Sequence, residues 1–123
     1  MTEPEAEAPV PSKRRVLVVE DDAVVLGLLT KIIGEAGYDV VGAPTGEAAL
    51  AELDKQLFDA VLLDLNLPGS IDGLEVCRRL RAEAATAAVP VVIISAMDDE
   101  DTKKRATEAG ATAYFSKPLS SLK

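Results

Sequence analysis

The sequence predicts a doubly wound α/β fold, a five-stranded parallel sheet with helices on both faces. Apolar runs of strand length recur along the chain, each bounded by charged or turn residues. Segments with helical apolar spacing separate them, and acidic or polar residues close the runs. Runs without alternation fit strands covered on both faces, and parallel neighbours need right-handed helical crossovers.

Residues 1–13, rich in Glu, Ala and Pro and without a period, read as a disordered acidic tail. Residues 14–123 read as one domain. Its first strand is Val16–Val19. A helix follows with Val25, Leu28, Leu29 and Ile32 on its inner face, stopped by Gly37. Tyr38–Val41 is a short second strand. Thr45 caps a second helix that turns Ala48, Ala49, Leu53 and Leu57 inward. Ala60–Leu63 is the third strand. The third helix carries Leu74, Cys77 and Leu80 on one face. Val89–Ile94 is the fourth strand, and the fourth helix, about Asp99–Ala109, is poor in large apolar groups. Gly110 ends it, and Ala113–Phe115 is the fifth strand, with Phe115 rather than Tyr114 expected in the core. Only Pro118–Lys123 then remain, so a final helix is expected to be missing or truncated.

Composition narrows the chemistry. The 123 residues carry 13 Lys and Arg against 21 Asp and Glu, a net charge of -8. Such a surface repels nucleic-acid phosphates, and no compensating basic stretch is present, so direct nucleic-acid binding is not expected. The chain holds no His and one Cys, Cys77, which excludes imidazole chemistry, an internal disulfide and a thiolate cluster. A metal would be held by oxygen, which favours Mg2+, Ca2+ or Mn2+. No apolar run approaches the roughly 18 residues that span a bilayer, so no membrane contact is expected and the cytoplasm is the expected compartment.

In an open parallel sheet, ligands bind outside the C-terminal ends of the strands. Those ends deliver Glu20, Asp21 and Asp22, then Asp64 and Asn66, then Ser95, then Lys117. Clustered carboxylates repel one another, and a cation offsets that cost. Asp22 and Asp64 are the expected carboxylate ligands, Asn66 offers its carbonyl, and Asp21 acts through a water. Asp64 then keeps an oxygen free to attack phosphorus. Lys117 and the Ser95 hydroxyl face the transferring oxygens. Taken singly, each residue has a plainer reading, and Asp21 or Asp22 could simply cap the first helix. Taken together they describe one site, provided that Asp22, Asp64 and Lys117 converge.

The chain resembles the receiver domain of bacterial two-component response regulators, chemotaxis-regulator-like, from about Arg14 to Pro118. The residues that carry the resemblance are Asp21-Asp22 after VLVV, Asp64 in LLDLNLP, Ser95 after VVII, and Lys117 in SKP. By analogy with such folds the strand order is taken as the flavodoxin-like 2-1-3-4-5. The resemblance implies that a sensor histidine kinase or a phosphotransfer protein donates a phosphoryl group to Asp64. It implies that the domain catalyses its own phosphorylation and dephosphorylation, with no separate substrate turned over, and switches the binding of a downstream protein. Ser95 and Tyr114 take the switch positions, Asn66 and Met97 the positions that tune phosphoryl loss, and Lys117-Pro118 the position of a cis peptide bond. A homodimer through the face of the fourth helix and fifth strand is also implied.

The loop Pro68–Gly73 departs from the family by one inserted residue at Gly69–Ile71. A rival reading, an Mg2+-dependent phosphohydrolase, wants a second acid where Asn66 stands. A second rival is a receiver-like binding module that is never phosphorylated. The acidic tail beginning at Met1 reads as a natural N-terminus, and the chain as either a stand-alone regulator or the receiver of a longer one.

Overall fold

A computed structural model describes residues 14–117. The expected tail at 1–13, the Pro118 peptide bond and the expected lack of a final helix lie outside the described residues. The elements alternate as β1 (Arg15–Val19), α1 (Ala23–Glu35), β2 (Asp39–Ala43), α2 (Gly46–Lys55), β3 (Ala60–Asp64), α3 (Gly73–Ala82), β4 (Val91–Ser95), α4 (Glu100–Glu108) and β5 (Ala113–Ser116). All strand pairs are parallel, in the order β2-β1-β3-β4-β5. The order and class match those expected.

Two apolar layers flank the sheet. On one face Val16, Val18 and Ile94 pack with Leu29 of α1. On the other, Leu17, Val19, Val61, Leu63, Val91 and Ile93 meet α2, α3 and α4 through Ala49, Leu74, Cys77, Leu80 and Ala106. Each fully buried Leu or Val contributes about 1.5–3 kcal/mol to folding. With α1 on one side and α2 to α4 on the other, the strands are apolar on both faces, as their unalternated runs require.

Packing corrects several inward faces. In α1, Val25, Leu26, Leu29 and Ile33 meet the sheet, while Leu28 and Ile32 are exposed. The two stripes share Val25 and Leu29, and the sheet takes the side of Leu26 and Ile33 rather than that of Leu28 and Ile32. α2 ends at Lys55, so Leu57 falls outside it and is 73% exposed, and Phe58 is buried instead. On β5, Tyr114 packs against the larger core layer, whereas Phe115 is 40% exposed on the opposite face. α4 behaves as its composition predicts, burying only Thr102 and Ala106.

Arg81 closes the far end of the sheet from the strand C-termini. Its guanidinium donates to the carbonyls of Gly110 (3.0 Å), Ala87 (3.2 Å) and Val89 (2.6 Å). It thereby ties the end of α3 to the turns that lead into β4 and β5.

Candidate functional site

The parallel register brings four strand ends to one rim. Val19 of β1 lies beside Leu63 of β3, Asp64 beside Ile94 of β4, and Ser95 beside Ser116 of β5. The next residue in each chain direction is polar: Glu20 after β1, Asp64 closing β3, Ser95 closing β4, Lys117 after β5.

Asp64 is 5% exposed and Glu20 only 2%. Lys117 Nζ donates to Glu20 Oε1 at 2.9 Å and to Asp64 Oδ2 at 3.2 Å. The other Asp64 oxygen, Oδ1, accepts the N–H of Asn66 at 3.1 Å. Carboxylate oxygens of Glu20, Asp21 and Asp64 all lie within 4.8 Å of one another. Three carboxylates against one ammonium leave two uncompensated negative charges. An all-oxygen donor set with that excess suits a hard divalent cation.

The electrostatics show the strain of this arrangement. Burial pushes the Glu20 carboxyl above the ordinary range, against the opposing Lys117 hydrogen bond, and the Asp64 charge adds to the rise. Burial pulls Lys117 down, but its bonds to Glu20 and Asp64 outweigh that and raise it overall, so it stays an ammonium.

One expected ligand is elsewhere. Asp22 is the N-cap of α1, where its Oδ1 accepts the N–H groups of Val24 (2.9 Å) and Val25 (3.2 Å). Its carboxylate is used by the helix, which is the plainer reading of an acid at that place. The convergence expected of Asp22, Asp64 and Lys117 is met by Glu20, Asp64 and Lys117. Glu20 is the residue that sequence reasoning passed over as a ligand. Its N–H still pairs with the Ala43 carbonyl at 3.0 Å, so strand pairing runs through it and carries its side chain to the rim. The signal was its place directly after VLVV. Glu20 Oε2 also accepts the Asp22 N–H at 3.1 Å, joining cap and site.

Asp21 is exposed beside the cluster. Ser95 is fully buried, and its Oγ accepts the Met97 N–H at 3.1 Å. No acceptor among the described residues takes its hydroxyl hydrogen. Asn66 is exposed on the loop after β3. Tyr114 stands apart from the carboxylates, its hydroxyl donating to the Met97 carbonyl at 2.7 Å.

Gly73 explains the loop after Asp64. A Cβ there would sit 2.3 Å from the Asp64 carbonyl oxygen and 2.7 Å from Leu65 Cα, so only glycine allows α3 to start against the end of β3. The loop Gly69–Ile71 is seated on α2: Gly69 has φ +93 beside the Glu47 carboxylate, and Ser70 Oγ donates to it at 3.2 Å. Ile71 packs over Gly46.

Comparison with known proteins agrees with this fold. The family described as response regulator receiver domain matches residues 16–123. The sensory transduction protein RegX3 of Mycobacterium tuberculosis is 41% identical over 105 residues, 85% of this chain and 44% of that protein. The chain spans less than half the length of the first curated relatives it matches. A putative response regulator from Chloroflexus aurantiacus superposes with a TM-score of 0.82 at 38% identity, covering 87% of each chain. The Mn(2+)-bound form of the response regulator Rcp1 superposes with a TM-score of 0.77 at 26% identity, covering 85% of this chain and 81% of that one.

Proposed function

The chain belongs to the response regulator receiver family, and from that premise we propose that Asp64 accepts a phosphoryl group, with Mg2+ held beside it. The observation that carries the reading is the buried Asp64 carboxylate, held at 3.2 Å by Lys117 within a cluster of three acids. Receiver membership itself supports a role in phosphorelay signalling.

Glu20, Asp21 and Asp64 would hold the ion, together with the Asn66 carbonyl. Bound there, Mg2+ supplies positive charge to the phosphoryl oxygens. The chain's own residues do the rest. An Asp64 oxygen attacks phosphorus, a new O–P bond forms, and the donor's bond to phosphorus breaks with its electron pair leaving on the donor. The Lys117 ammonium lies on the same carboxylate and neutralises developing charge. The Ser95 hydroxyl donates to a phosphoryl oxygen. Water attack at phosphorus then breaks the aspartyl O–P bond, releases inorganic phosphate and restores the Asp64 carboxylate. The domain thus catalyses its own modification rather than the turnover of a separate substrate.

The donor in this reading is a sensor histidine kinase or a phosphotransfer protein, and the recipient of the signal is a downstream protein. Self-association through α4 and β5 is a further partner contact of the same reading. Ser95 and Tyr114 serve as the switch pair, both already bonded to Met97. The Mn(2+)-bound form of Rcp1 supports a divalent ion in this fold, so Mn2+ should substitute for Mg2+.

The test is incubation with a small-molecule acyl phosphate, with and without Mg2+, followed by intact mass. One phosphoryl group should appear only with Mg2+ and should vanish in Asp64→Asn. A wild type that gains no mass favours the unphosphorylated binding module instead.

A further inference from the structure

Beyond the carboxylates, the loop joining β4 to α4 is fastened by three neighbouring residues of the β5 end. Tyr114 Oη donates to the Met97 carbonyl at 2.7 Å. Ser116 Oγ donates to Asp98 Oδ1 at 2.7 Å. The Lys117 N–H donates to the Ser95 carbonyl at 2.7 Å. Tyr114 and Ser116 stand two apart on a strand, so their side chains leave it on the same side. The Asp98 oxygen that accepts from Ser116 also pairs with Lys103 Nζ of α4 at 3.1 Å. One carboxylate therefore joins β5, α4 and the loop.

Ser95 is the last residue of β4, immediately before that loop. The Ser95 Oγ accepts the Met97 N–H, so the orientation of its remaining hydrogen depends on where Met97 is held. Tyr114 holds Met97 by its carbonyl, and Ser116 holds the next residue by its side chain.

We infer that Asp98, through Ser116 and Lys103, is a positioning residue that fixes Ser95 for phosphoryl transfer to Asp64. The inference rests on the reading of Asp64 as the phosphoacceptor. A hydroxyl stabilises charge in a transition state only when it is held in place beforehand, and misplacement by an ångström costs up to about a hundredfold in rate. Of the two contacts on Asp98, the short charge-assisted bond from Ser116 is the stronger. Both contacts are solvent-exposed, and the longer ion pair with Lys103 contributes less. The Ser116 hydroxyl, followed by Lys103, keeps the Asp98 carboxyl below the ordinary range, so it accepts as an anion at neutral pH.

The experiment uses the full chain with Ser116→Ala, Ser116→Thr, Asp98→Ala and the Ser116→Ala/Asp98→Ala double variant. Phosphorylation by a small-molecule acyl phosphate at saturating Mg2+ is timed by intact mass. Mg2+ affinity is measured by calorimetry, and amide exchange is followed at Met97. Each single alanine variant should slow phosphorylation about tenfold, a modest misplacement on the scale above. The double variant should be no slower than either, and Ser116→Thr should recover the wild-type rate. Mg2+ affinity should not change, because other elements build the carboxylate cluster. A wild-type rate in Ser116→Ala, additive losses, or an Mg2+ affinity that falls with the rate would overturn the inference. A wild type that takes no phosphoryl group overturns the Asp64 reading separately, and Met97 exchange then decides the positioning. Exchange that quickens in Ser116→Ala and recovers in Ser116→Thr supports it, and unchanged exchange sinks it.

Discussion

Lys117 and Glu20 are 97 positions apart in the chain, yet the Lys117 ammonium donates to the buried Glu20 carboxylate at 2.9 Å. That contact closes the site from the β5 side and makes Glu20, rather than Asp22, the acid that faces Asp64.

The two acids should therefore separate by function. Glu20→Gln is expected to weaken Mg2+ binding by roughly tenfold or more, since even indirect support of a metal is worth that much. Asp22→Ala should leave Mg2+ affinity unchanged and cost about 1 kcal/mol of stability through the lost α1 cap. Calorimetry with Mg2+ and urea unfolding distinguish them, and a large loss of Mg2+ affinity in Asp22→Ala would reverse the assignment.

Gly73 should tolerate no side chain. With the Asp64 carbonyl 2.3 Å from the position of a Cβ, Gly73→Ala must displace either α3 or the end of β3. A loss of about 2–3 kcal/mol is expected. Phosphorylation at Asp64 should fall with it, while Gly27→Ala, which meets nothing within 4 Å, should do neither.

Arg81 should matter for stability alone. Arg81→Met leaves the carbonyls of Gly110, Ala87 and Val89 without their donor, a cost of about 2–3 kcal/mol. Arg81→Lys should recover less than half, because one ammonium cannot reproduce the fork. Urea unfolding reads the loss, and Mg2+ affinity should be untouched because the clamp lies at the opposite ends of the strands.

Asp98 should titrate below the usual aspartate range, held there by Ser116 and then Lys103. A carboxyl with a lowered folded pKa adds stability above its unfolded value, about 3.9, and that stability disappears as pH falls through the folded value. Carbon-detected NMR titration should place its midpoint below that value in the wild type and move it upward in Ser116→Ala. Identical midpoints would show that Ser116 does not act on Asp98.

Met97 is half-exposed, and its thioether offers no strong hydrogen bond to an attacking water. Met97→Glu is expected to shorten the life of the phosphoryl group on Asp64. The decay of phosphorylated protein by intact mass checks this, and an unchanged or slower decay counts against it.

Local patterns were legible where they are strong. VLVV, AVLL and VVII are strands because unalternated apolar runs need cover on both faces. Gly37 and Gly110, at φ 102 and 108, end α1 and α4 as expected. The inner stripe of α1 was less legible. Val25 and Leu29 belong to both possible stripes, and Leu28 with Ile32 is as regular a choice as Leu26 with Ile33. Phe115 was expected inside because it alternates with Tyr114; the two do lie on opposite faces, but it is the face of Tyr114 that meets the larger core layer.

By itself the sequence determined the alternation of strands and helices and the polar residues at the strand ends, because these follow from spacing along a few neighbouring residues. It also named Asp64 and Lys117 as partners. Only the tertiary structure decided which of three consecutive acids enter the site and which caps the helix. At the junction of β1 and α1 the backbone turns within two residues, so Glu20 still follows the strand to the rim while Asp22 already caps the helix. That choice depends on contacts with β2 and β5, which no local pattern encodes.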